Sequence, residues 1–131
     1  MTGPLPGPPP GGSARVLIVE DHPFAADALR LIFEATGYTV RIAATAAAAV
    51  RACMDERPDL MILDLTLPDG DGLSVLEAVR AADAFPRVAV ALTGHDDSVR
   101  TARCREAGCA DVLLKPVPPR ELLTRAAAWL A

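Results

Sequence analysis

From Arg15 onward, short apolar runs alternate with longer segments of helical period, and that alternation leaves few folds open. The runs are 16–19, 60–63, 88–92 and 112–114, with a weaker one at Thr39–Ala43. They are continuous in hydrophobicity rather than alternating, as strands buried on both faces of a parallel sheet are. Between them, segments 23–36, 45–56, 72–82, 96–107 and 118–130 are long enough for helices. They carry apolar residues three and four apart, such as Leu29 with Phe33 and Val75 with Val79. Gly37 and Gly108 stand where left-handed C-terminal caps are wanted, and Asp71 and Asp96 where N-caps are. Five β-α units joined by right-handed crossovers predict an α/β protein, a doubly wound parallel sheet with helices on both faces.

Composition sets the bounds on this pattern. At 131 residues and 51% hydrophobic, the chain fills one core and has no room for a second domain. Residues 1–13 hold five Pro and four Gly and predict a disordered tail, with a PxxP-type docking ligand as the sharper alternative. Residues 14–131 are the domain. No apolar stretch approaches the ~20 residues of a membrane span, and the N-terminus lacks the basic-then-apolar order of a signal peptide. A net charge of −4 and 4% aromatics argue against nucleic-acid binding. Three cysteines are too few for a disulfide framework, so Cys53, Cys104 and Cys109 are expected as free, buried thiols of a cytoplasmic protein. Twelve of the 13 basic residues are Arg; the one Lys is Lys115, a compact point charge where all else is a planar fork.

In an open α/β sheet the ligand site lies beyond the carboxyl ends of the strands. The residues met there are Glu20 and Asp21 after the first run, Asp64 after 60–63, Thr93 after 88–92 and Lys115 after 112–114. Four strands thus deliver three carboxylates, a hydroxyl and the lone Lys to one edge. Three close carboxylates need a compensating charge or a raised pKa. All-oxygen ligation with few protein ligands is the habit of Mg²⁺. Such a group suits the stabilisation of phosphoryl oxygens on a carboxylate. His22 and His95 are poor ligands for that ion; His95 is expected instead near the mouth of the site, screening it from water. The turn-rich stretch 67–72 predicts a solvated loop whose Asp residues are not metal ligands.

VLIVEDH, MILDLTLPDGDG, VAVALTGHDD and ADVLLKPVPPRELL, in that order and at ordinary spacing, resemble the successive motifs of a response-regulator receiver domain from about Arg15 to Leu130. The resemblance implies a flavodoxin-like five-stranded sheet of order 2-1-3-4-5. It implies a phosphoryl acceptor at Asp64, served by a histidine kinase or histidine phosphotransfer protein and dependent on Mg²⁺. Asp21 would ligate the metal directly, Glu20 largely through water, and Thr66 through its backbone carbonyl. Thr93 and Lys115 would contact the phosphoryl oxygens, and Lys115–Pro116 would be cis. The domain would not be an enzyme beyond taking its own phosphoryl group from a donor and losing it to water. A stand-alone receiver would signal by protein–protein contact, with an output partner the sequence does not name.

Two departures refine these expectations, and two alternatives stand beside them. Val112 stands where the family usually has an aromatic residue, so a swinging-ring switch is not expected. Thr101, Ala107 and Ala110 stand where one subfamily places charged dimer contacts, leaving Asp111, Glu121 and Arg125; a monomer or weak dimer is expected. A haloacid dehalogenase-type phosphatase also uses a strand-end Asp and Mg²⁺, but wants a second Asp where Thr66 stands, and a cap domain. A receiver-like adaptor working without phosphorylation is the other alternative.

Overall fold

The structure, a computed structural model, describes residues 14–131; the expected tail at 1–13 lies outside them. Five parallel strands, β1 (Arg15–Val19), β2 (Thr39–Ala43), β3 (Leu60–Asp64), β4 (Val88–Thr93) and β5 (Asp111–Leu114), form one sheet in the order β2-β1-β3-β4-β5. Helices α1 (Pro23–Ala35), α2 (Ala46–Asp55), α3 (Gly72–Ala81), α4 (Ser98–Glu106) and α5 (Pro119–Trp129) connect and follow them. This is the expected doubly wound, flavodoxin-like architecture in strand order 2-1-3-4-5. Among the described residues, no helix is long and apolar enough to cross a membrane.

Alternation along the central strands explains their continuous hydrophobicity. Val16, Ile18, Leu60 and Ile62 face a core shared with α1 and α5, around Phe33, Leu122 and Leu123. Leu17, Val19, Met61 and Leu63 face a second core with α2, α3 and α4, around Val75, Leu76 and Val79. Each strand residue is therefore buried whichever way it points. The edge strands differ: β2 and β5 are half-exposed, and Leu114 is 52% exposed. An edge strand has a neighbour on one side only.

Two strands run one residue past the apolar stretch. Asp64 pairs with Leu92, and Thr93 with Leu114, so the chemical residues continue the ladders. Gly37 and Gly108 take positive φ (105° and 115°), as C-caps do. Asp71 caps α3 through the Leu73 N–H at 2.9 Å. The other expected cap is corrected: Asp97, not Asp96, caps α4, accepting the Val99 and Arg100 N–H groups. The Asp97 N–H closes a turn on the His95 carbonyl, which moves the helix start along by a residue. Neighbouring aspartates have equal capping propensity, so local pattern does not separate them.

The loop 67–72 is also more built than a solvated turn. Thr66–Leu67 and Gly70–Asp71 pair as a short antiparallel hairpin. At its tip, the Asp69 carboxylate accepts the Ala46 and Ala47 N–H groups at 2.7 and 3.1 Å. The Ala48 N–H goes to Thr45 Oγ1. The opening turn of α2 thus has its orphan donors satisfied, and the hairpin beside Asp64 is pinned to it. The three cysteines are buried and free, and Leu130 is buried with Trp129 packed beside it on the α1–α5 core.

Candidate functional site

Strand order reverses between β1 and β3, since β1 lies between β2 and β3, and the carboxyl ends of these strands open there into a cleft. The cleft, of about 560 Å³, is lined by Glu20, Asp21, His22, Asp64, Thr66 and Lys115 among others. Carboxylate oxygens of Glu20, Asp21 and Asp64 lie within 4.8 Å of one another. Glu20 and Asp64 are buried, at 8% and 5% exposure, and Asp21 is exposed.

Asp64 is held from both sides. Lys115 Nζ donates to its Oδ2 at 2.7 Å, and the Thr66 N–H donates to its Oδ1 at 3.0 Å. The Lys115 ammonium also lies 3.8 Å from Glu20 Oε1. The cis bond at Lys115–Pro116 is present, and the Lys115 N–H donates to the Thr93 carbonyl, tying the ends of β5 and β4 together. Burial alone would lower the Lys115 pKa; the hydrogen bond to Asp64 and the charges of Asp64, Glu20 and Asp21 outweigh it and raise the pKa. Burial pushes the Glu20 carboxyl above its ordinary value, the charge of Asp64 adds to this, and the His22 N–H and Lys115 oppose it. A cluster of acids with too little positive charge for its burial fits an added cation, and its donors are all hard oxygens.

The structure brings together Glu20, Asp21, Asp64 and Lys115 from the strand ends, with Thr66, which the resemblance named, beside them. Thr93 sits at the end of β4, 5% exposed, but its hydroxyl is engaged elsewhere. It donates to the His95 carbonyl and accepts the His95 N–H, both at 3.2 Å. The His95 side chain is exposed and does not line the cleft. The imidazole that lines it is His22, where the sequence led to the expectation of His95. Val112 is half-buried and packs on the α2–α3–α4 core.

One residue at the site's margin was missed from sequence, Arg100 of α4. Its Nη2 donates to the Leu65 carbonyl at 3.0 Å and to Asp71 Oδ1 at 2.9 Å. No local pattern signals a contact that spans 35 residues of chain. Gly72, the last residue of the turn-rich stretch 67–72, has a packing role that the turn pattern does not show. A Cβ there would lie 2.9 Å from Leu65 Cα and 3.0 Å from the Asp64 carbonyl, so its absence lets α3 start against the acceptor strand.

Comparison with known proteins agrees with this geometry. Residues 16–127 match the model of the response regulator receiver domain. The DNA-binding response regulator MtrA of Mycolicibacterium smegmatis is 34% identical over 116 residues, 88% of this chain and 50% of that protein. The transcriptional regulatory protein KdpE of Mycobacterium tuberculosis is 37% identical over 110 residues, 84% of this chain and 48% of that protein. The chain thus spans about half the length of these curated relatives. A CheY-like receiver domain from Methanospirillum hungatei superposes with TM-score 0.82 at 31% identity, covering 91% of this chain and 94% of that one. The receiver domain of the sensor histidine kinase PA1611 from Pseudomonas aeruginosa, solved with magnesium in its active-site cleft, gives 0.78 at 29% identity, covering 91% and 98%. With sequence, topology and the acidic strand-end cleft in accord, the chain belongs to the response regulator receiver domain family of two-component signalling.

Proposed function

We propose that Asp64 is the phosphoacceptor of this receiver, taking a phosphoryl group from the phosphohistidine of a histidine kinase or histidine phosphotransfer protein. The observation that carries this reading is the placement of Asp64: a carboxylate 5% exposed, at the switch point, 2.7 Å from the chain's one lysine and beside two further acids. An oxygen of Asp64 attacks phosphorus as the P–N bond breaks, and the bond's electron pair returns to the imidazole. The acids that would hold Mg²⁺ are Asp21 and Asp64 directly, with the Thr66 carbonyl, and Glu20 largely through water; the closeness of the three carboxylates supports a shared cation. When bound, Mg²⁺ supplies positive charge to the phosphoryl oxygens and relieves the repulsion among the carboxylates. Lys115 offers a second charge to those oxygens. Thr93 becomes a hydroxyl donor to them once it leaves the His95 carbonyl.

Output passes to a partner protein in the cytoplasm. The protein acts as a monomer or weak dimer, a reading supported by Asp111 spending its charge within the chain, 3.4 Å from Arg105 and 3.9 Å from Arg125. Intact mass after incubation with phosphoramidate tests the acceptor. The protein gains one phosphoryl group with Mg²⁺ and none in EDTA, and Asp64→Asn gains none. Labelling of the Asn variant overturns the assignment. An unlabelled wild-type protein would favour the phosphorylation-independent adaptor.

A further inference from the structure

Of the five helices, α4 is the least anchored by apolar packing: of its nine residues only Cys104 is buried, whereas α3 buries five of ten. Polar ties take the place of a core. At its C-terminal end, the Ala107 carbonyl accepts from Arg80 of α3 at 2.5 Å. At its N-terminal end the tie is Arg100, whose side chain is 25% exposed and whose Nη2 reaches both the Leu65 carbonyl and Asp71.

Each acceptor of Arg100 is itself committed to the turn that follows Asp64. The Leu65 carbonyl also accepts the Gly72 N–H at 2.9 Å, and the Leu65 N–H donates to the Leu92 carbonyl at 3.0 Å. Asp71 Oδ1 also caps α3 through Leu73. Leu65 lies between Asp64 and Thr66, the two residues whose backbone and side chain form one wall of the cleft. The guanidinium therefore sits on the stretch of backbone that directly follows Asp64. Its Nε is buried and has no partner among the described residues. A buried donor left unpaired costs free energy, which offsets part of what the two Nη2 hydrogen bonds contribute.

We propose that Arg100 is a positioning residue that ties α4 to the phosphoacceptor turn, so that occupancy of Asp64 is passed to α4 in part through this side chain. The proposal rests on Asp64 being the phosphoacceptor. It does not follow from that reading, which is silent on how α4 is informed. Because α4 has so little core of its own, the state of two hydrogen bonds is enough to shift its stability.

The test is amide hydrogen exchange over α4 in the full chain, with and without Mg²⁺ and beryllofluoride as the phosphoryl mimic. In the wild-type protein the mimic changes exchange of the α4 amides by about tenfold, within the ordinary range of coupling between sites. In Arg100→Met, which keeps the aliphatic stem, the change falls below about threefold. Arg100→Lys, whose ammonium has donors for both acceptors but sits on a shorter stem and is more strongly hydrated, falls between the two. Both variants still gain one phosphoryl group from phosphoramidate. An α4 response of full size in the Met variant overturns the proposal, because a merely structural tie would loosen the helix without removing its response. A wild-type α4 indifferent to the mimic overturns it as well. Failure of the wild-type protein to take phosphate is a different result and falls on the acceptor assignment alone.

Discussion

Burial sets the chemistry of single residues here as much as their identity does. Burial pushes the Cys53 thiol up to about 11 and Cys109 up to about 12, with the neighbouring Cys104 adding to the latter. Thiolate is the reactive form, so native protein at pH 8 resists iodoacetamide while unfolded protein takes three equivalents, as intact mass will show. Gly72 is the opposite case, a residue whose value lies in what it lacks. Gly72→Ala forces a Cβ against the backbone of Asp64 and Leu65 and destabilises the fold by about 1–3 kcal/mol. Thermal unfolding reads that loss, and weakened beryllofluoride binding accompanies it. At Lys115 the expected result is non-conservative replacement by Arg: the cleft presents two single carboxylate oxygens to an ammonium, not a flat pair to a fork. Lys115→Arg keeps the fold and weakens the response to phosphodonor, and an unchanged response would show that the ammonium is dispensable.

Among the elements, those legible in sequence were the ones whose partners lie along the chain. Strands that end at or one residue past their apolar runs deliver Glu20, Asp64 and Lys115 to the same edge by topology alone, and the cleft formed where expected. What escaped were side chains that reach backbone far away: Asp69 to the start of α2 across 23 residues, and Arg100 across 35. A loop aspartate has the same local signature whether it faces water or caps a distant helix. The orientation of Thr93 escaped for a related reason, because its partner is a backbone carbonyl that only the turn into α4 creates. The capping role of Asp69 carries a pH signature. Donation from the Ala46 and Ala47 N–H groups lowers its pKa below the ordinary 3.8. The stabilisation is therefore complete above that value and is lost as pH falls through the lowered one. Asp69→Ala accordingly melts lower than wild type at neutral pH, and the gap between their melting temperatures closes as the pH is taken well below 3.8.

Taken whole, the molecule has two interiors separated by its sheet, one around Phe33 and Leu123, the other around Val75 and Leu76. Residues that share neither partners nor a cavity contribute to stability almost independently. Phe33→Leu and Leu76→Ala, one from each side, therefore add to within about 0.5 kcal/mol in urea unfolding. Val75→Ala with Leu76→Ala, both from the α3 side, do not. The same wall separates two problems of packing. A loss of stability in one interior can be offset by a gain in either, but a misfit of shape is relieved only by repacking on its own side, so each half can be remodelled while the other keeps its shape.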